Sequence, residues 1–170
     1  MPTTSTADDR VVARAAGTGP ATWAMGMLLE RLVGGEDTGG RLSASVVSQP
    51  PGQASPLHVH TREAEAWFVL DGTITYRAGD ELTRMGAGDF IYLPSGVPHA
   101  FRITGTAPAR FLALALPGGL LDVYDEVGRP ATERRLPDGG VNPADLERWM
   151  EAGPRYGLQV VGPPLTPQEA

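Results

Sequence analysis

Between Val11 and about residue 116 the chain alternates short apolar runs with glycine, proline and aspartate. Runs of this length between turn-forming residues are typical of β-strands. The pattern predicts strands at 11–15, 23–33, 42–48, 57–60, 65–70, 73–77, 82–84, 90–93, 98–103 and 109–116. The segment 23–33 also has helix-forming residues, but we interpret it as a strand because the sequence on either side of it has the pattern of β-strands. An Asp71-Gly72 pair between two runs predicts a hairpin turn.

The character of the sequence changes after Pro117-Gly118-Gly119. Leu120–Val127 predicts a short helix, and Asn142-Pro143 predicts the start of another that continues to about Ala152, with Asn142 as its N-cap. Within this second helix Leu146, Trp149 and Met150 share the face that we expect to be buried. The segment Gly157–Val161 is a candidate closing strand.

These patterns together predict an all-β domain followed by short C-terminal α-helices. We divide the chain into a flexible N-terminus at 1–9, a β-barrel at 10–117, and a C-terminal helical extension at 118–170 that packs on the barrel. The segment 118–127 is placed to cap the barrel mouth.

Composition excludes several classes of function. The chain has 170 residues, no cysteine and no lysine, and a formal net charge of −6. Disulfides, cysteine nucleophiles, Schiff-base chemistry and the usual P-loop are therefore excluded. The acidic balance argues against nucleic acid as a partner, and the polar start without a membrane-length apolar run predicts a cytoplasmic protein that does not enter a membrane. We expect a small molecule as the partner.

All three histidines fall inside two short motifs. His58 and His60 are two residues apart, so on a strand both rings point to one face. A neighbouring strand that brings a carboxylate and His99 to the same point would give three nitrogens and one oxygen, which suits a divalent transition metal. Two exposed histidines on an edge strand are the simpler alternative for the first pair. Strand alternation turns both Glu63 and Glu65 inward, so alternation alone does not indicate which of the two is the metal ligand.

Both motifs resemble those of the cupin superfamily. Gly52, His58, His60, Glu65 and Gly72 match the first cupin motif, G(X)5HXH(X)3,4E(X)6G. The second motif is matched by Gly88, Pro94, Gly96 and His99, with Ile103 in place of its final asparagine. The resemblance implies a double-stranded β-helix of the jelly-roll type. It also implies that His58, His60, Glu65 and His99 hold one ion per chain, which is iron, nickel, manganese, cobalt, copper or zinc.

A narrower resemblance is to single-domain bacterial cupins similar to quercetin 2,3-dioxygenase. It rests on Glu36-Asp37-Thr38-Gly39-Gly40, Pro117-Gly118-Gly119, Val127-Gly128-Arg129-Pro130-Ala131 and Arg155-Tyr156-Gly157 with Gly162-Pro163. The resemblance implies a homodimer and a metal-dependent dioxygenase that cleaves an enol-containing or polyphenolic molecule with O2, with Glu65 as the base. The alternatives are a redox-neutral isomerase or cyclase and a non-enzymatic binding protein.

Strand alternation also predicts the substrate pocket. From Glu65 and His99, the side chains of Trp67, Val69 and Phe101 lean the same way as the ligands. Tyr92, Met27, Phe111 and Leu121 are further candidates for contact with the substrate.

Overall fold

The computed structural model describes residues 11–170, in which twelve strands form two antiparallel sheets. The flexible N-terminus expected at 1–9 lies outside the described residues. The strands are β1 Ala21–Ala24, β2 Met27–Val33, β3 Ser43–Gln49, β4 Leu57–His60, β5 Ala64–Asp71, β6 Ile74–Ala78, β7 Glu81–Met85, β8 Phe90–Leu93, β9 His99–Ile103, β10 Ala109–Leu116, β11 Arg129–Pro130 and β12 Leu158–Gly162.

One sheet has the order β11-β1-β2-β3-β10-β5-β8, and the other has the order β12-β4-β9-β6-β7. Alternate side chains of both sheets point into a shared interior, where Trp67 of β5 stacks on Phe111 of β10 with a ring distance of 3.8 Å. The predicted all-β architecture, a double-stranded β-helix, is confirmed.

Two helices follow the barrel strands, α1 at Asp122–Val127 and α2 at Pro143–Ala152. Single 3-10 turns occur at Gly35–Asp37 and Gly153–Tyr156. Asn142 caps α2 as predicted, because its side-chain oxygen accepts a hydrogen bond from Ala144 N at 3.0 Å. Trp149 is buried, but Met150 is 44% exposed, so its assignment to the buried face was wrong. Met150 follows Trp149 directly and is rotated about 100° around the helix axis.

The C-terminal segment also contributes one edge strand to each sheet. Its strand β11 pairs with β1 at one edge of the first sheet, and β12 pairs with β4 at one edge of the second. The candidate closing strand at 157–161 therefore corresponds to β12. None of the helices in residues 11–170 is long and apolar enough to cross a bilayer.

Two strand predictions in the first part of the chain need correction. Residues 11–15 form no strand, and Val11 is exposed. The single strand expected at 23–33 is two strands, β1 and β2, joined at Met25-Gly26. Both turn residues have positive φ, 50° and 76°, as a type I′ hairpin turn requires.

The hairpin predicted at Asp71-Gly72 was also wrong. β5 pairs with β10 and β8, whereas β6 pairs with β7 and β9, so the chain crosses from one sheet to the other after Asp71. Gly72 has φ of +84°, and a Cβ there would lie 2.6 Å from the Ala109 backbone, so the crossing needs glycine. A tight hairpin instead joins β6 to β7 through Gly79-Asp80.

Candidate metal centre

The three histidines meet between the two sheets. His58 and His60 point inward from β4, and His99 on β9 pairs directly with His58 across the ladder. One ring nitrogen from each histidine lies within 4.8 Å of the other two, and all three side chains are buried. A buried His58, His60 and His99 group of this size can hold a metal ion.

Glu65 reaches the same point from the other sheet. Its Oε2 lies 3.6 Å from His99 Nε2, which is too long for a hydrogen bond but suits two ligands of one ion. Glu63 is also buried, but its carboxylate lies beside Gly119 in the loop after β10. The structure therefore distinguishes the two glutamates, which strand alternation could not do: Glu65 lies beside the histidines, and Glu63 does not.

Backbone groups fix the histidine rings. Nδ1 of His58 donates to the carbonyl of Pro56 at 2.8 Å, and Nδ1 of His99 donates to the carbonyl of Val97 at 2.9 Å. With the proton on Nδ1, the Nε2 of each ring carries the free lone pair that a metal needs. Nε2 of His99 is buried without a hydrogen-bond partner among the described residues. An ion would satisfy it.

The loop that carries the second motif is anchored to the first motif. The carbonyl of His60 accepts hydrogen bonds from Gly96 N at 2.8 Å and from Ser95 Oγ at 3.0 Å. Gly96 has φ of +84°, which glycine adopts without strain. This turn sets the start of β9 and so the position of His99.

The electrostatics favour the protonation states of metal ligands at His58, His60 and Glu65, whereas the raised pKa of His99 favours the protonated ring, which would have to lose its proton to bind a metal. Burial, together with the neighbouring His99 and His60 rings, lowers the pKa of His58 to about 3. Burial also lowers the pKa of His60. Burial alone would raise the pKa of Glu65, but His60 and His99 overcome it and lower the pKa to about 2. Burial alone would lower the pKa of His99, but the neighbouring Glu65 carboxylate outweighs it, and the pKa is raised. Neutral imidazoles and an ionised carboxylate are the forms that bind metal.

Two small cavities lie beside these groups. The first has a volume of about 40 Å³ and the second about 30 Å³, and both are lined by Met27, Gln49, Glu65, Trp67, Phe101 and Tyr124. His58, His60 and Trp149 also line the first, and Phe111 and Leu121 line the second. Five candidate pocket residues therefore line at least one of the two cavities, namely Met27, Trp67, Phe101, Phe111 and Leu121.

Two candidate pocket residues do not line these cavities. Tyr92 is 57% exposed, because on β8 it pairs with Ala66 and so points to the outer face of the sheet, whereas Leu93 beside it points inward. Val69 points inward but is fully buried in the core, farther along β5 from Glu65 than Trp67. Both are corrected.

Sequence reasoning missed part of the cavity wall. Tyr124 of α1 and Trp149 of α2 line the first cavity, and we call this pair the roof. The Trp149 and His58 rings are nearly perpendicular, with an interplanar angle of 78° and ring centroids 6.2 Å apart. Gln49 and Gln53 were also missed. Gln49 could have been found, since it continues the inward alternation of Ser45 and Val47 with a polar side chain.

Comparison with known proteins gives one family and several relatives. Residues 45–115 match the family described as the cupin domain. The chain is 28% identical over 121 residues to quercetin 2,3-dioxygenase of Bacillus subtilis, covering 71% of this chain and 36% of that protein. It is 37% identical over 101 residues to dimethylsulfoniopropionate lyase DddQ of Ruegeria pomeroyi, covering 59% of this chain and 48% of that protein. The chain thus spans between a third and a half of these relatives.

Among solved structures, a predicted oxalate decarboxylase from Thermotoga maritima superimposes with a TM-score of 0.56 at 23% identity. The match covers 63% of this chain and 99% of that one. At this identity the likeness concerns the fold.

Proposed function

From the premise that residues 45–115 of this chain form a cupin domain, we propose that the protein is a metal-dependent dioxygenase of the quercetinase type. In this proposal the ligands are His58, His60, Glu65 and His99, and the substrate is a compact molecule with an enol or enolisable hydroxyl. The observation that carries the proposal is the buried histidine group with Glu65 beside it, next to a small cavity. The similarity to quercetin 2,3-dioxygenase, which covers 71% of this chain, supports the reaction type.

The donor set fits a catalytic ion better than a structural one. Three nitrogens and one oxygen leave one or two positions open on an octahedral ion. When bound, a divalent transition metal supplies Lewis acidity toward a substrate oxygen. Trp67, Phe101 and Trp149 give the cavity an apolar part of its wall, which would limit the access of water during a reaction with O2.

Glu65 is the residue that we assign as the base. Its carboxylate is ionised at neutral pH and lines the cavity, and a bound ion would have to acidify a substrate hydroxyl before so weak a base could accept its proton. No other carboxylate lines either cavity among the described residues, and no histidine is spare. Phe101 and Met27 would hold the substrate in place by apolar contact.

The size of the cavities favours a small substrate. Pockets for drug-sized ligands usually measure roughly 300–1,000 Å³, whereas these cavities measure about 40 and 30 Å³. A flavonol has three rings, so it would require the roof to move. A compact enol needs no such movement, and we therefore place compact enols ahead of polyphenols.

The proposal is tested with purified protein loaded with iron, nickel, manganese, cobalt, copper or zinc in turn. Oxygen uptake and carbon monoxide release are measured with a panel of compact enols and flavonols. We expect oxygen uptake with at least one loaded form on a compact enol, and none with metal-free protein. If no loaded form consumes oxygen with any member of the panel, the dioxygenase assignment is wrong.

A redox-neutral reaction, such as isomerisation, cyclisation or elimination, is the second candidate. Two observations favour it: the 37% identity to dimethylsulfoniopropionate lyase and cavities with little room for O2 beside a substrate. Turnover under strict anaerobiosis would select this candidate. Tight binding of a small molecule without turnover in either atmosphere would select the third reading, a non-enzymatic binding protein.

A further inference from the structure

Two carboxamides line the cavity beside the histidine group, one on the buried Gln49 and one on the half-buried Gln53. Gln49, at the end of β3, is 3% exposed and borders both cavities, and Gln53, in the loop before β4, borders the first. We call this pair the amide wall. Neither side chain was part of the metal or pocket predictions, and neither is a candidate metal ligand.

In each carboxamide the nitrogen has a hydrogen-bond partner, whereas the oxygen has none among the described residues. Nε2 of Gln53 donates to the carbonyl of Met25 at 2.8 Å, which fixes the orientation of its amide and leaves Oε1 buried without a partner among the described residues. Nε2 of Gln49 lies 3.2 Å from the sulfur of Met27, a weak acceptor, and its Oε1 is also buried and unpartnered. Buried carbonyl oxygens are rarely left without a donor.

These free ends define what a ligand should offer. Two carboxamide oxygens accept hydrogen bonds, so a ligand beside them would present an N–H or O–H donor. The amide wall is thus polar but uncharged.

The charge of the site limits the charge of the ligand. The chain has no lysine, and no arginine is among the described residues that line either cavity. A divalent ion with Glu65 ionised and the histidines neutral leaves one net positive charge. A ligand with one negative charge balances it, whereas a second negative charge would be buried without a cation, which is strongly unfavourable.

We propose that the amide wall selects a compact ligand that carries one negative charge at the ion and a neutral N–H or O–H donor toward Gln49 and Gln53. Dicarboxylates and phosphorylated compounds are selected against. This inference deepens the proposed function and rests on it only in placing a divalent ion at the candidate ligands. It does not depend on the reaction that follows.

The test uses two matched probes, oxamate and oxalate, with the cobalt(II)-loaded protein under nitrogen. The probes have the same shape and both chelate metals through two oxygens, but oxamate carries one charge and an amide donor. Affinities are measured by calorimetry and by the visible spectrum of the cobalt ion, and each is divided by the affinity of the same probe for free cobalt(II). After this correction we expect the wild-type protein to prefer oxamate over oxalate by about tenfold or more, more than one hydrogen bond gives.

Gln49→Met keeps the length of the side chain and removes its polar atoms. We expect it to weaken oxamate about fivefold, the usual worth of one hydrogen bond, while oxalate changes less than about twofold. Gln53→Met serves as a second variant, with the same expectation. Gln159→Met on the exposed side of β12 is the matched control and should change neither probe. Cobalt content is measured for every variant.

A corrected wild-type preference for oxalate would overturn the inference, as would failure of the loaded protein to bind oxamate. Equal losses of both probes in the two glutamine variants, or no loss of oxamate in either, would also overturn it. The wild-type comparison stands even where a variant does not fold. Because no turnover is involved, a failure of the oxygen-uptake experiment leaves this result intact, and a successful one does not replace it.

Discussion

Four ionisable side chains buried together are unfavourable unless something stabilises their charges. His58, His60, His99 and Glu65 are all less than a tenth exposed, and between them they form one ion-pair contact, that of Glu65 with His99. The carbonyls of Pro56 and Val97 hold two of the rings with Nε2 free. At the scale of single residues, the centre is arranged for a cation and costs stability without one.

The two neighbouring glutamates give a matched pair for testing this arrangement. Glu65→Gln replaces an anionic ligand with a weaker neutral one, so we expect metal affinity to fall more than the roughly 10- to 100-fold that loss of an outer-shell partner causes. Glu63→Gln changes an equally buried carboxylate that does not face the rings, and should retain the metal. Metal analysis after dialysis against a weak chelator measures both. Loss of metal in the Glu63 variant alone would reverse the assignment.

The stability of the metal-free protein should depend on pH in a defined direction. The pKa of His58 is about 3 in the folded protein and 6.5 when unperturbed, so between these pH values the unfolded chain binds more protons. The free energy of unfolding therefore falls as the pH falls through this window. Glu65 adds a loss of the same sign between pH 4.5 and about 2. His99, whose pKa is raised, contributes stability at low pH that is lost as the pH rises above 6.5.

We expect the first two effects to outweigh the third, and the unfolding free energy of metal-free protein to drop by about 2–4 kcal/mol from pH 7 to pH 4. Urea titrations at several pH values measure it after exhaustive chelation. A constant or rising stability over this range would contradict the burial of neutral His58.

The positions of the candidate ligands could be predicted from spacing, whereas much of the cavity wall could not. His58, His60, Glu65 and His99 are fixed by strand alternation and by two short motifs, which are local information. Tyr92 was a candidate without a strand register behind it, and its pairing with Ala66 turns it to the outer face. Gln53 lies in a loop, where no period tells which way a side chain points.

At the scale of elements, the helices close the site that the strands build. α1 and α2 supply Tyr124 and Trp149, and neither helix carries a candidate ligand. Asn142 and Pro143 made the start of α2 predictable, because capping is local. The packing of α2 over His58 was not predictable, since it depends on contacts between residues 149 and 58.

Two adjacent residues of α2 test the role of the roof. Trp149→Ala removes a large side chain that is 2% exposed and should lower the free energy of unfolding by about 3–5 kcal/mol. Met150→Ala changes an exposed neighbour and should cost less than about 1 kcal/mol. Both are measured by urea unfolding of the metal-free protein. Similar effects for the two variants would mean that α2 does not pack on the barrel as described.

The crossing after Asp71 shows why turn residues do not determine strand partners. Asp71-Gly72 has the chemistry of a hairpin turn, and Gly79-Asp80 is the tight hairpin that actually joins paired strands. Both pairs contain a glycine with positive φ, so the local conformation is similar. Which sheet each strand joins is decided by its pairing with β10, β8 or β9, which is far away in sequence.

At the scale of the whole molecule, an apolar face of the first sheet stays uncovered in the described chain. The exposed side chains on it are Phe68, Leu70, Phe90, Tyr92 and Leu116. Several large exposed apolar side chains on one face of a sheet are typical of a contact between proteins. The homodimer that the cupin resemblance implies stays a prediction, and this face is where we expect it to form.

Sedimentation equilibrium tests the homodimer directly. We expect a mass of twice the 17.9 kDa of one chain. Phe90→Glu should shift the mass to that of a single chain, because a charge would be buried in the contact. Leu82→Glu, which changes an exposed residue of the other sheet, is the control. A dimer that survives Phe90→Glu would place the contact elsewhere.

The roof has a kinetic consequence. All the candidate ligands lie between residues 58 and 99, whereas Tyr124 and Trp149 come from the segment after the barrel strands. The candidate ligands and the aromatic side chains that cover them therefore come from different parts of the chain. The rate at which a strong chelator removes a bound ion should therefore depend on how often Tyr124 and Trp149 move away from the site.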